Sequence, residues 1–95
     1  MIEITTFRLT TATDEDAFRA ADKRLQSDFA YRQAGLLRRT TARNDQGDWI
    51  VIDLWRTAGD ADASGARRID DPVAIRFMSF VDATTVHTKR YDTLD

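Results

Sequence analysis

Seven residues, WIVIDLW (Trp49–Trp55), constrain this chain more than any other stretch. They are β-branched, aromatic or aliphatic apart from Asp53, and a strand sends alternate side chains to opposite faces. One face therefore carries Trp49, Val51, Asp53 and Trp55, and the other carries Ile50, Ile52 and Leu54. Both faces are largely apolar. A half-solvated antiparallel strand alternates apolar with polar residues, so this strand requires a covering layer on each side.

The neighbours of that run supply one layer. Leu36 to Arg43 (LLRRTTAR) is a second strand-like run, separated from Trp49 by Asn44-Asp45-Gln46-Gly47-Asp48, whose turn formers suit a hairpin. If the hairpin turns about Gln46, Asp53 opposes Arg39 and Trp55 opposes Leu37. Upstream, Ile2 to Thr11 (IEITTFRLTT) has strand composition and no helical stripe. Thr13 then reads as an N-cap before Asp14, Glu15 and Asp16, opening a helix with Phe18, Ala21, Leu25 and Phe29 on one face and a stop at Gly35. Downstream, Thr57 to Asp70 reads as a thin helix weakened by two internal glycines, with Ala58, Ala61, Gly65 and Ile69 as its stripe. Asp71-Pro72 caps and starts a short helix with Val73, Phe77 and Val81 facing inward, and Thr84 to Tyr91 returns to strand composition.

The order is β, α, β, β, α (broken), β, which predicts an α+β chain of ferredoxin-like βαββαβ type with a four-stranded antiparallel sheet. Right-handed crossovers are read as placing the first and third strands side by side and parallel, with the fourth beside the first and the second beside the third. Both helices then cover one sheet face, and nothing in the chain covers the other. A second copy packed sheet to sheet would do so, giving a homodimer and enlarging a core that 95 residues alone keep small. Residues 1–95 are expected to form a single domain.

Composition excludes several functions. Zero Cys removes disulfides, thiol nucleophiles and zinc or iron–sulfur sites built on Cys, and a single His leaves little metal-binding capacity. A net charge of -2 offers no excess of cations for a phosphate backbone or an anionic membrane, so nucleic acid and membrane partners are not expected. The N-terminus MIEITTF lacks the basic start and apolar stretch of a signal peptide, and a cytoplasmic location is expected. Arg outnumbers Lys twelve to two and Asp outnumbers Glu fourteen to two, a bias read mainly as codon usage.

Two local patterns add a resemblance: Gln33-Ala34-Gly35-Leu36-Leu37 running from the first helix into the second strand, and Leu54-Trp55-Arg56-Thr57 running from the third strand into the second helix. With the element order, they resemble the dimeric α/β barrel proteins of the antibiotic biosynthesis monooxygenase type over nearly the whole chain. The resemblance implies a dimer. Its members include cofactor-independent quinone-forming monooxygenases, haem-degrading enzymes and lactone isomerases, so fold alone does not select a reaction. In the first two groups a Trp at the end of the third strand lines a pocket between sheet and helices, and Trp55 matches it. They also use an Asn on the first strand, where IEITTFRLTT has none, and haem degraders carry a ligand His on the second helical segment, where residues 57–82 have none. Haem is therefore disfavoured. No nucleotide-loop, nucleophile-elbow, HExxH or EF-hand pattern is present, and no cofactor or metal is expected.

The parallel reading brings Trp55, Phe7, Leu9, Leu36, Leu37 and His87 to one end of the sheet, beneath the small residues Ala61, Ala63, Ser64 and Gly65. A substrate pocket walled by Trp55, Phe7, Leu9 and Leu37 is expected there. His87 and Asp53 are the catalytic candidates. His87 is the one side chain with an ordinary pKa near neutrality, and it reads either as a general base or as a structural strand residue. Asp53 sits in an apolar stretch where an unpaired carboxylate is costly, and it reads either as an acid–base group of raised pKa or as the ion-pair partner of Arg39. Tyr31, Tyr91 and Arg38 are weaker candidates. Three functions remain open: a small dimeric enzyme, such as a cofactor-independent monooxygenase or isomerase of aromatic or polyketide-like compounds; a non-catalytic binder of small apolar or aromatic ligands; and a homodimeric interaction module.

Overall fold

The computed structural model describes residues 1–94. In chain order it contains β1 (Ile2–Phe7), α1 (Glu15–Asp28), a 3-10 turn (Ala30–Arg32), β2 (Leu36–Arg43), β3 (Trp49–Trp55), α2 (Ala58–Arg68), α3 (Pro72–Met78), a second 3-10 turn (Ala83–Thr85) and β4 (His87–Tyr91). The strands form a four-stranded sheet in the order β2-β3-β1-β4, and every neighbouring pair is antiparallel. This is the ferredoxin-like architecture.

The direction of β1 against β3 corrects the sequence reading. Ile2 pairs with Leu54 and Phe7 with Trp49, so the two strands run antiparallel. The α1 crossover makes β1 and β2 parallel, and the hairpin then reverses the chain, so β3 enters between them in the opposite sense.

Local chemistry explains the element ends. β1 stops at Phe7, not Thr11, because Arg8 donates its N–H to Thr85 Oγ1 at 2.8 Å and Thr10 donates to the Phe80 carbonyl at 2.9 Å, diverting the chain to the segment after α3. The cap of α1 is Asp14, not Thr13: its carboxylate accepts from the N–H groups of Asp16 and Ala17. That helix ends at Asp28, and Gly35 instead opens β2 with φ +83°, pressed so close to Asp60 that a Cβ would collide with its carboxylate. Thr57 caps α2, and Asp71 with Pro72 starts α3 as its sequence implies.

Both helical layers cover the face of β3 that carries Trp49, Val51, Asp53 and Trp55, all four of which are buried. Phe7, Phe18, Leu25, Phe29, Ala74, Phe77 and Val81 complete the core with Trp49 and Val51. Ala61 and Ser64 are the buried positions of α2, and Ile69 is 74% exposed because the helix ends before it. The opposite sheet face carries Ile2, Ile4, Ile50, Ile52 and Leu54, none of them buried. One face of the strand is covered and the other is bare. Among the described residues no helix is long and apolar enough to cross a membrane.

Candidate functional site

The register of the hairpin places Arg39 opposite Asp53 on the covered face. The pairing is lopsided. Arg39 spends its shortest contact on Asp22 of α1, Nη2 to Oδ1 at 2.8 Å, and another on Gln26 Oε1 at 3.3 Å, while its Nε lies 4.0 Å from Asp53 Oδ1. Thr41 also donates to Asp22, and the Tyr31 hydroxyl accepts from the Arg39 N–H and donates to its carbonyl, so this arginine is held from several sides. The Asp53 Oδ1 atom is buried without a hydrogen bond. Burial drives its carboxyl up from 3.8 to about 6, against the attraction of Arg39 and Arg68 and with the help of repulsion from Glu3 and Asp22. A carboxylate tuned this close to neutrality can exchange protons under physiological conditions.

Two other side chains share its surroundings. The Trp55 indole, two residues along the same face, is buried with its Nε1–H lacking any acceptor. Arg68, the last residue of α2, is half-buried, and burial pulls its guanidinium below the ordinary value while Asp53 pulls it back up. A cavity of about 40 Å³, walled by Phe7, Val51, Phe77 and Val81, and another of about 20 Å³, walled by Leu25, Phe29, Leu36 and Trp55, have Arg39, Asp53 and Arg68 in common. An open cleft of about 210 Å³ begins on the other side of Trp55, between Glu3, Arg90 and the α2 residues Ala61, Asp62, Ser64, Gly65 and Arg68. Arg90 clamps its rim, bonding Glu3 Oε2 and Asp62 Oδ1 at 2.8 Å each. The two smaller spaces admit water molecules, and the open cleft is the only one of the three with volume for part of a ring.

Of the residues singled out by sequence, Asp53 and Trp55 lie together here. The others do not. Since β1 and β3 are antiparallel, Phe7 sits beside Trp49 at the far end, where it walls only the inner cavity, and Leu9 packs at that end through its bridge to Val81. His87 is exposed on β4 opposite Thr6, on the bare sheet face, and cannot reach Asp53. Leu37 is displaced by a β-bulge between Leu36 and Arg38 and stands 50% exposed, so Leu36 takes the place opposite Trp55. Tyr91 and Arg38 are exposed. Sequence reasoning misses Arg68 and places Ser64 only as a small residue over the Trp55 end. Ala61, Ser64 and Arg68 follow one another at steps of 3 and 4, a helical stripe that a search for apolar positions passes over because two of its members are polar.

No protein-family model and no curated protein matches the chain. Solved structures do. SnoaB, a cofactor-independent oxygenase from Streptomyces nogalater, aligns over 98% of this chain and 94% of its own with a TM-score of 0.76 at 18% identity. A Caulobacter crescentus protein named for antibiotic biosynthesis monooxygenases aligns over 99% and 89% with a TM-score of 0.80 at 14% identity. A Nitrosomonas europaea protein so named gives 0.73 at 16% identity over 98% and 88%. The chain shares the fold of these antibiotic biosynthesis monooxygenase structures over nearly its whole length. At these identities the likeness is one of fold, and chemistry must be argued from the residues.

Proposed function

We propose that the chain forms a homodimer through its bare sheet face, and that the space between β3 and α2 binds an aromatic or polyketide-like molecule for cofactor-independent oxygenation. Asp53 is the proton acceptor and Trp55 the wall. The observation that carries this reading is the buried Asp53 oxygen with no hydrogen bond, next to an indole and within the field of two arginines. The fold shared with SnoaB, a cofactor-independent oxygenase, supports it.

The chemistry suits these groups. A phenolic or enolisable ketone held against Trp55 in the open cleft gives its proton to Asp53 through a water in the 20 Å³ cavity that Trp55 and Arg68 also line, and the charge left on the substrate is stabilised by Arg68. The resulting anion is electron-rich enough to react with dioxygen. For a ring CH2 that becomes C=O, the substrate yields four electrons; one oxygen atom enters the product and the other leaves as water with the two hydrogens. Isomerisation needs the same proton abstraction without oxygen.

Dihydroxyanthrone is a suitable probe. Oxygen uptake of one O2 per quinone formed is expected, with Asp53→Asn slower by about a hundredfold or more. Uptake no faster than autoxidation, or an undiminished Asp53→Asn, overturns the oxygenase reading. Sedimentation equilibrium is expected to show a dimer, and a folded monomer at micromolar concentration overturns the assembly. The small size of the two cavities beside Asp53 favours one alternative, a dimeric interaction module whose interior is merely packed; complete failure to bind arenes would select it.

A further inference from the structure

Among the arginines around this site, Arg68 is the one without a partner. Arg39 is bonded to Asp22 and Gln26, and Arg90 to Glu3 and Asp62. The Arg68 guanidinium makes no hydrogen bond and no ion pair within 4.0 Å with any described residue, although the residue is half-buried and lines all three spaces described above. Asp53 is the acid that attracts it most, yet stays beyond ion-pair distance. A guanidinium drawn out of water without a counter-charge is costly, and a fold that keeps one on a cavity wall gains when an anion reaches it.

A second unsatisfied donor belongs to a residue on the same walls. The buried Trp55 Nε1–H has no acceptor, and Trp55 shares with Arg68 both the 20 Å³ cavity and the open cleft. Beside them the cleft is accessible: Gly65, three residues before Arg68, faces space in which a Cβ would meet nothing within 4 Å. Trp55 and Ala61 supply an apolar wall for a flat body. An unpaired cationic donor beside an aromatic wall describes a particular kind of guest.

We infer that Arg68 is the docking residue for an anionic oxygen group, carboxylate or phenolate, on a planar apolar ligand that enters between Trp55 and the small residues of α2. The planar guanidinium suits such oxygens, which it can bond through two N–H groups at once. This deepens the proposed function by naming the ligand's charge, and it rests on the same site.

Binding can be read without turnover. The wild-type protein is titrated with 2-naphthoate, with neutral 2-naphthamide of the same shape, and with a nitrophenol in its phenolate and phenol forms, following tryptophan fluorescence. At least one anion is expected to bind about tenfold tighter than its neutral counterpart, and the arm that does so identifies the source as carboxylate or phenolate. Arg68→Met should abolish that preference, Arg68→Lys should retain part of it, and thermal unfolding confirms that each variant is folded. If neither anion is preferred by the wild type, if no probe binds saturably, or if the preference survives in Arg68→Met, the inference falls. Should Arg68→Met fail to fold, loss of the preference in Arg68→Gln serves in its place. Anion preference without oxygen uptake from dihydroxyanthrone would remove the oxygenase reading and leave this one standing; oxygen uptake that needs Asp53 but is indifferent to Arg68→Met would do the reverse.

Discussion

The two tryptophans of β3 sit on the same face of the same strand, six residues apart, in opposite surroundings. Trp49 belongs to an aromatic cluster: its ring centroid lies 4.8 Å from that of Phe18, which also meets Phe77 at 5.2 Å, Phe7 at 6.0 Å and Phe80 at 6.1 Å, mostly edge to face. Trp55 faces Ala61, Ser64 and Gly65 of α2 and shares its cavities with a carboxylate oxygen that accepts no hydrogen bond and a guanidinium that makes none. The difference follows from the covering helices. α1 and α3 bring phenylalanines to the Trp49 end, while α2 brings residues too small to fill the Trp55 end. Burial is nearly equal at the two ends, 6% and 5% exposure, so burial alone does not distinguish a packed core from a site. The distinction lies in whether the buried polar atoms are satisfied.

Truncation tests the division of labour most forcefully. Phe18 is fully buried at the centre of the aromatic cluster, so Phe18→Ala is expected to cost about 3 to 5 kcal/mol in urea unfolding. Ser64→Ala, equally buried at the other end, should cost about 1 kcal/mol or less, since it deletes one hydroxyl beside existing free space. Equal costs at the two positions would break the comparison.

A second test uses the polar end alone. The Asp53 carboxyl titrates at 3.8 in an unfolded chain and at about 6 in the fold, so the folded protein holds this proton more tightly. Stability from that proton is complete below pH 3.8 and is lost as pH rises through about 6, a span worth about 3 kcal/mol. Asp53→Asn cannot titrate. Relative to that variant, the wild type should lose stability between about pH 4 and about pH 7 and change no further above it. Urea unfolding across this range checks the slope, and parallel profiles for the two proteins would mean that burial does not raise the Asp53 carboxyl.

How far this division can be read from the amino acids depends on which physical signal each feature leaves. Alternation in Trp49–Trp55 reveals two apolar faces, and turn formers at 44–48 locate both ends of the β2–β3 hairpin, so the opposition of Arg39 and Asp53 is legible in the amino acids alone. Strand direction leaves no such trace. Periodicity reports which face a side chain takes and is unchanged when the strand is reversed, so a misread sense of β1 carries Phe7, Leu9 and His87 to the wrong end. The bulge that ejects Leu37 is also silent in composition, being tied to the backbone where the Arg56 N–H meets the Gly35 carbonyl at 2.7 Å. Arg68 escapes for a different reason: a search for apolar stripes discards the polar member of an inward face, which is where a site differs from a core.

The smallest expected effect is the most discriminating. Trp55→Phe keeps an aromatic ring against Ala61 and Leu36 but deletes the Nε1–H, a buried donor that now lacks an acceptor. Removing an unsatisfied donor returns part of its desolvation penalty, which offsets the apolar area lost with the smaller ring. The net change in unfolding free energy should therefore stay within about 1 kcal/mol of zero. Trp49→Phe deletes no such liability and disturbs the edge-to-face contact with Phe18, so it should destabilise by about 1 to 2 kcal/mol. Paired urea titrations of the two variants decide the matter: the same conservative substitution applied at each end of one strand should cost more at the end without a site. A Trp55→Phe loss as large as that of Trp49→Phe would mean that the Trp55 indole is packed like its counterpart, and the Trp55 end would then be a core that happens to contain charges.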